Sequence, residues 1–321
     1  MTIRRGASGN DVRKIQTRLS ELNLYRGTID GSFGGGTEGA VKVFQRNSSL
    51  EQSGAVDAGT WAKLFPAETL PVSNMVSQPL ALRCLALTSS FETGDMPPEC
   101  FCGVTGDFDG QGISFGALQW NLGQGTLQPL LVEMFENHAE VCRDIFHENF
   151  DVVTALAQST KEEQVSFARS IQNTRNFRVN EPWRGMLKQL GRTSEFQDVQ
   201  ARHAAQIHAK AAAMCNDYGL TTERGIALMF DICVQNGSIS PVVKAQILAD
   251  FMGLPDAKDQ VARMRVIANR RSAAVKAQFI NDVRTRKLTI AEGEGTVHGI
   301  QYHLEEQFGL RLQPSQSAAN A

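Results

Sequence analysis

The sequence predicts a mainly α protein in two parts: a small three-helix bundle, linked to a larger helical domain with at most a small β element. Apolar residues recur at helical spacing along most of the chain, and a proline-bearing stretch without periodicity interrupts them at 66–78. The composition, 42% hydrophobic and 21% charged over 321 residues, is that of an ordinary globular chain. The boundaries that follow are 1–65 for the bundle, 66–78 for the linker, 79–312 for the larger domain and 313–321 for a small, polar, disordered tail.

A net charge of −2 gives no reason to invoke nucleic acid or an anionic membrane surface as a partner. There is no apolar run long enough for stable membrane insertion, and Met1-Thr2-Ile3-Arg4-Arg5-Gly6 lacks the apolar core of a signal peptide, so synthesis in the cytoplasm is expected. Six cysteines are too few for a disulfide scaffold and read as buried thiols, with a disulfide from Cys100 or Cys102 left open after export. The Cys100-x-Cys102 pair has no second pair at zinc spacing, so no metal and no cofactor are expected. Nothing suggests more than a monomer.

In the first part, Asn10 can cap a helix carrying Val12, Ile15, Leu19 and Leu22, and Thr37 one carrying Ala40, Val41 and Phe44. The intervening turn, from Ile29 to Thr37, returns in shortened form from Gly54 to Trp61, where Thr60 can cap a third helix. Gly6, Gly9, Val12, Ile15, Gln16, Leu19, Asp30-Gly31-Ser32-Phe33-Gly34, Thr37, Ala40-Val41, Phe44-Gln45, Val56, Thr60-Trp61 and Leu64 together resemble the peptidoglycan-binding domain of cell-wall hydrolases. The resemblance implies wall glycan or stem peptide as ligand, in a groove beside the turns where Asp30, Ser32, Phe33 and Thr37 are candidate contacts.

The larger part opens with Pro79 at a first helical position and Leu80, Cys84, Leu87 and Phe91 at helical spacing. Glu92 falls where Thr93, Gly94, Pro97 and Pro98 end that helix, with apolar neighbours behind it, a setting that favours the protonated acid. A second acidic cluster, Asp107 and Asp109, lies in the glycine-flanked loop 106–112. Two carboxylates in different environments are what glycosidic cleavage requires, one to protonate the leaving oxygen and one to activate water.

Phe91-Glu92 followed by Asp109-Gly110-Gln111-Gly112-Ile113-Ser114-Phe115-Gly116 resembles the signature of chitosanases in the lysozyme-like superfamily. Gly116-Ala117-Leu118-Gln119-Trp120-Asn121 is similar to the strand edge of lysozyme-like transglycosylases. The resemblance implies a lysozyme-like catalytic domain with Glu92 as general acid, Asp109 as base, Asp107 as its competitor, and Ser114, Gln119 and Asn121 orienting sugar or water.

Downstream the chain reads as helical. Leu127, Leu130, Leu131, Met134 and Phe135 mark one helix, and Thr160 with Glu163 forms a capping box for another. A long helix is expected from Ser194 to Asn216, its His203 and His208 on different faces. Thr222 opens a helix ending in Val234-Gln235-Asn236-Gly237, a run similar to one lining the chitosanase cleft, which makes Gln235 and Asn236 candidate substrate contacts beside a plain glycine cap. The basic residues from Arg263 to Lys287 read as mostly solvated helix face, though one or two of the arginines can pin a carboxylate such as Asp231 in a buried pair. Residues 291–299 read as a glycine-rich loop with Glu294 as a reserve carboxylate.

Together these readings point to a peptidoglycan hydrolase of muramidase type. The alternatives are a lytic transglycosylase, a chitosanase and a non-catalytic wall-binding protein. The module order resembles endolysins of phages that infect Gram-negative bacteria, implying action on the periplasmic wall after holin release. The other route is injection as a secreted effector, which would bring an immunity protein as a further partner.

Overall fold

The computed structural model describes residues 2–7, 9–70 and 74–314. Residues 71–73 of the expected linker and 315–321 of the expected tail lie outside the described residues. The chain is mainly α, with two small antiparallel sheets among the described residues, and it divides into two units: 1–96 with 207–321, and 97–206.

In the first unit, helices α1 (Asn10–Glu21), α2 (Gly35–Asn47) and α3 (Ala58–Leu64) enclose a core of Val12, Ile15, Leu19, Val41, Phe44, Trp61 and Leu64. Two buried glutamines organise it. Gln16 accepts from Gly31 N at 2.8 Å and donates to Asp30 Oδ1, Ser32 O and Thr37 Oγ1 at 2.9, 3.0 and 3.2 Å. Gln45 accepts from Gly54 N at 2.9 Å and donates to Ser53 Oγ, Ala55 O and Thr60 Oγ1 at 3.1, 2.7 and 3.1 Å. Each amide thus closes one turn whose glycine takes positive φ, +78° at Gly31 and +75° at Gly54.

This bonding moves three expected caps. The helices start after Gly9, Gly34 and Asp57, not at Asn10, Thr37 and Thr60. Both threonine hydroxyls are taken as acceptors for the glutamine amides, and Asp57 caps α3 by accepting from Thr60 N at 2.7 Å, which holds its carboxyl below the usual range. Phe33, a candidate ligand contact, is instead a core side chain, 2% exposed.

Helix α4 (Leu80–Thr93) is buried on every face from Leu82 to Phe91 and ends at Gly94 in a left-handed cap, φ +74°. Within it, Arg83 bonds Glu223 through both terminal nitrogens, at 2.6 and 3.0 Å. The expected linker is not wholly exposed, since Asn74–Ser77 form a 3-10 turn that buries Met75.

In the second unit, strands β1 (Val104–Thr105), β2 (Ser114–Phe115) and β3 (Trp120–Asn121) make an antiparallel sheet, pairing Thr105 with Ser114 and Ser114 with Asn121. Helices α5 (Gln128–Asn137), α6 (Ala139–Phe146), α7 (Phe150–Ala157), α8 (Lys161–Ser170), α9 (Trp183–Arg192) and α10 (Ser194–His203) surround a core in which Phe115 stacks on Phe196 at 5.1 Å. Thr160 and Glu163 form the capping box of α8. The single helix expected over 194–216 is two: Ala204 interrupts it, close to where the chain returns to the first unit, and α11 runs Ala205–Asp217.

The chain then forms α12 (Glu223–Asn236), capped by Thr222, and α13 (Pro241–Phe251), α14 (Gln260–Ala273) and α15 (Ile280–Glu292). The expected loop at 291–299 is a hairpin of β4 (Glu294–Val297) and β5 (Ile300–His303), followed by α16 (Leu304–Phe308). Its two turn residues, His298 and Gly299, both have positive φ, +50° and +80°, as a two-residue hairpin turn demands. The hairpin packs on the end of α4, where Tyr302 donates to Ser90 O at 3.0 Å and meets the Phe91 ring edge-on at 4.8 Å. Five of the six cysteines are buried, and Cys233 is partly buried. No helix among the described residues is long and apolar enough to cross a membrane.

Candidate functional site

In the first unit, Glu92 is where α4 emerges from the core. Its side chain is 45% exposed, and Oε1 accepts from Arg286 Nη1 at 2.6 Å. The carboxylate therefore faces a guanidinium, not the apolar setting that its neighbours in sequence suggest; the Phe91 ring lies instead against that guanidinium, 5.2 Å from it, and against Tyr302. Arg286 is fully buried and spends two further bonds on Asp231 Oδ1, at 2.9 and 2.7 Å. Lys287, also buried, donates to Asp231 Oδ2 at 3.0 Å and to Gln235 Oε1 at 2.7 Å.

The helical period explains the assembly: Asp231 and Gln235 are one turn apart on α12, and Arg286 and Lys287 are adjacent on α15. Burial would push the Asp231 carboxyl up, but Arg286 and Lys287 outweigh it and hold the group below the usual range. Burial works against the charged form of Arg286 too, yet Asp231 and Glu92 raise it, whereas burial draws Lys287 down despite Asp231. With both carboxylates ionised the four groups sum to zero charge.

In the second unit, the loop 106–112 separates two aspartates by role. Asp107 is buried; Oδ1 accepts from Gly112 N at 2.8 Å, Oδ2 accepts from Arg169 Nε at 2.6 Å, and its own N–H donates to Gln172 Oε1 at 2.7 Å. Burial alone would raise this carboxyl, but the Gly112 bond and Arg169 bring it below the usual range. Asp109 is exposed, its Oδ1 accepting from Gln111 N at 3.1 Å between Phe108, 63% exposed, and Gly110. Asp107 thus clasps the loop on which Asp109 is presented.

The remaining candidates divide in the same way. On the small sheet, Ser114 Oγ accepts from Asn121 Nδ2 at 3.0 Å, and the buried Asn121 also accepts from Gln124 N at 3.0 Å. Gln119, at φ +54°, accepts from Thr105 Oγ1 at 2.8 Å and donates to Gly116 O at 3.0 Å. Gln235 is joined to the Glu92 cluster through Lys287, while Asn236 Oδ1 is buried without a hydrogen-bond partner. Asp30 lies in the N-terminal module, its carboxyl held below the usual range by Gln16 and Ser32 N. Glu294, at the start of β4, is exposed, 3.3 Å from His303 Nδ1. Among the described residues no three His, Cys, Asp or Glu side chains gather as a metal site.

Residues 8–64 match the family model described as "Putative peptidoglycan binding domain", so the chain carries a peptidoglycan-binding module at its N-terminus. The chain is 43% identical over 65 residues to the spore cortex-lytic enzyme of Bacillus cereus, covering 20% of this chain and 25% of the relative. It is 46% identical over 59 residues to the spore cortex-lytic enzyme of Bacillus subtilis, covering 18% and 19%. The chain thus spans a quarter or less of the length of these curated relatives. Among solved structures it is similar to a native chitosanase from Bacillus subtilis MY002, at 19% identity and a TM-score of 0.39, covering 68% of this chain and 89% of that one. It is also similar to a chitosanase of Gynuella sunshinyii in complex with chitotetraose, at 11% identity and a TM-score of 0.42, covering 72% and 98%.

Proposed function

We propose that this chain is a wall-directed glycoside hydrolase: the N-terminal module holds peptidoglycan, and residues 79–312 form a lysozyme-like catalytic domain that cleaves the β-1,4 glycan backbone as a muramidase. The observation that carries this reading is Glu92, a half-exposed carboxyl at the end of a helix otherwise buried, with one oxygen fixed by a buried arginine. A protonated carboxyl keeps one oxygen as an acceptor for Arg286 and offers its O–H from the other, which suits a general acid facing a glycosidic oxygen. Asp109 is the base that activates water, and Asp107 is the clasp that steadies its loop. Ser114 accepts from Asn121 and keeps its own O–H for the sugar or the water. The wall-binding module favours peptidoglycan over chitosan as the substrate.

Purified peptidoglycan sacculi provide the test, read as released reducing ends. Glu92→Gln is expected to lower the rate by roughly 100-fold or more while sacculus pull-down persists. Asp109→Asn separates two chemistries: a hydrolase loses most of its activity, and a lytic transglycosylase keeps it. A wild-type chain that binds sacculi and soluble chitosan without cutting either is a wall-binding protein, and the catalytic reading fails.

A further inference from the structure

The cluster under Glu92 does not end at Gln235. Gln235 Nε2 donates to Asp282 Oδ2 at 3.3 Å, and Asp282 Oδ1 accepts from His298 Nε2 at 2.5 Å. A continuous chain of polar contacts therefore runs from the hairpin turn between β4 and β5 to the first turn of α15, across to α12, and through Lys287, Asp231 and Arg286 to Glu92. Its outer members are accessible, with side-chain exposures of 52% for His298 and 37% for Asp282, while Lys287 and Asp231 are buried.

We propose that Asp282 and His298 are positioning residues for Glu92, acting through the amide of Gln235 on the buried Lys287–Asp231–Arg286 cluster. The proposal rests on the reading of Glu92 as the reacting acid. The Gln235 amide fits its place in one orientation only, because an ammonium donates and a carboxylate accepts, so its oxygen must face Lys287 and its nitrogen Asp282. Without Asp282 the amide is free to turn, and Lys287 then loses one of its two acceptors in a dry site. Lys287 is drawn further onto Asp231, which also anchors Arg286 by two bonds, so the position of the guanidinium that fixes Glu92 shifts with it. His298 in turn orients Asp282. Its ring is held there by the hairpin turn, which places a histidine at positive φ, a backbone region that side chains other than glycine occupy infrequently.

The full-length chain with 15N-labelled glutamine and lysine tests this, alongside turnover of purified sacculi. Asp282→Ala is expected to lower kcat about tenfold and His298→Ala about threefold, with KM unchanged, as expected for a misplaced reacting group. Asp282→Asn, whose oxygen still accepts from Gln235, recovers most of kcat. In Asp282→Ala the side-chain signals of Gln235 and Lys287 move, while the melting temperature falls by only a few degrees, because the altered side chain is part exposed and Lys287 keeps its bond to Asp231. The proposal is overturned by unmoved Gln235 and Lys287 signals, by a kcat for Asp282→Ala within twofold of wild type, or by a loss carried in KM. If the wild-type chain releases no reducing ends, the glycosidase reading fails instead, and the two signals alone decide whether Asp282 orders the cluster.

Discussion

Asp231 and Asp107 are both buried carboxylates held below the usual range, yet different groups hold them. Asp231 relies on side chains, two cations from α15 that are themselves buried. Asp107 relies on the backbone of its own loop, through Gly112 N, and on Arg169, whose side chain is 60% exposed. The first arrangement is mutual: each charge is tolerable in the core only because the others are there. The second is local, a turn closed by a carboxylate with one solvated helper. A cluster of the first kind fixes a neighbouring group such as Glu92 through the packing of whole helices, whereas a clasp of the second kind fixes a short loop and little else.

The widest separation between the two should appear on removing each carboxylate. Asp231→Ala strands the buried Lys287 without a counter-charge and leaves Arg286 only the half-exposed Glu92, and should cost about 3–5 kcal/mol of stability, measured by urea unfolding. Asp107→Ala takes the acceptor from Gly112 N and from the exposed Arg169, while Gln172 keeps its bond to the backbone N–H of residue 107; no buried cation is stranded, so about 1–3 kcal/mol is expected. Its loss should be confined to hydrogen-exchange protection in the loop 106–112. Comparable losses for the two variants would break the distinction.

Acid titration sharpens the same contrast. A carboxylate whose folded pKa is depressed contributes stability that is present above its unfolded value, about 3.9, and is lost as pH falls through the folded value. Both groups should therefore make the wild-type chain lose stability below about pH 4. The slope of unfolding free energy against pH in that range should flatten in Asp231→Asn, and to a smaller degree in Asp107→Asn. A slope unchanged by either substitution would assign the acid sensitivity to other groups.

What was legible in the sequence follows the range of the interactions. Helical spacing and local caps within one segment were readable, as in α4, the capping box of α8 and Thr222 at the start of α12. The pairing of Asp231 with an arginine some 55 residues on was readable only as one choice within the basic segment 263–287, and the share of Lys287 in it was not. The threonines at 37 and 60 were misjudged as caps because the groups that claim their hydroxyls, Gln16 and Gln45, lie on preceding helices; the return of Gln, Asp or Ser-Gly and Thr in both halves was the available signal. The β4–β5 hairpin was hidden because His298-Gly299 is a rarer turn pair than Asn-Gly, although Thr296, Val297 and Ile300 flank it. Nothing in the composition around Ala204 marks the break between α10 and α11. The setting of Glu92 required α15, far along the chain, and spacing near Glu92 carries no trace of Arg286.

The smallest effect is expected where the two modes of holding a carboxylate meet, at Arg169. Its bond to Asp107 is short, 2.6 Å, and distance alone would rank it with the contacts of Arg286. Exposure decides otherwise: a cation that stays in water on most of its surface gains little from pairing, and water replaces it when it is cut away. Asp107 would keep its bond from Gly112 N, so the loop keeps its shape. Arg169→Ala should therefore cost less than about 1 kcal/mol, and half-molar salt should reduce even that. The same substitution should leave the hydrogen-exchange protection of Gly112 N close to wild type. A loss as large as that of Asp107→Ala would mean that the clasp is ionic after all, and that Asp109 is presented by an ion pair and not by the fold of its own backbone.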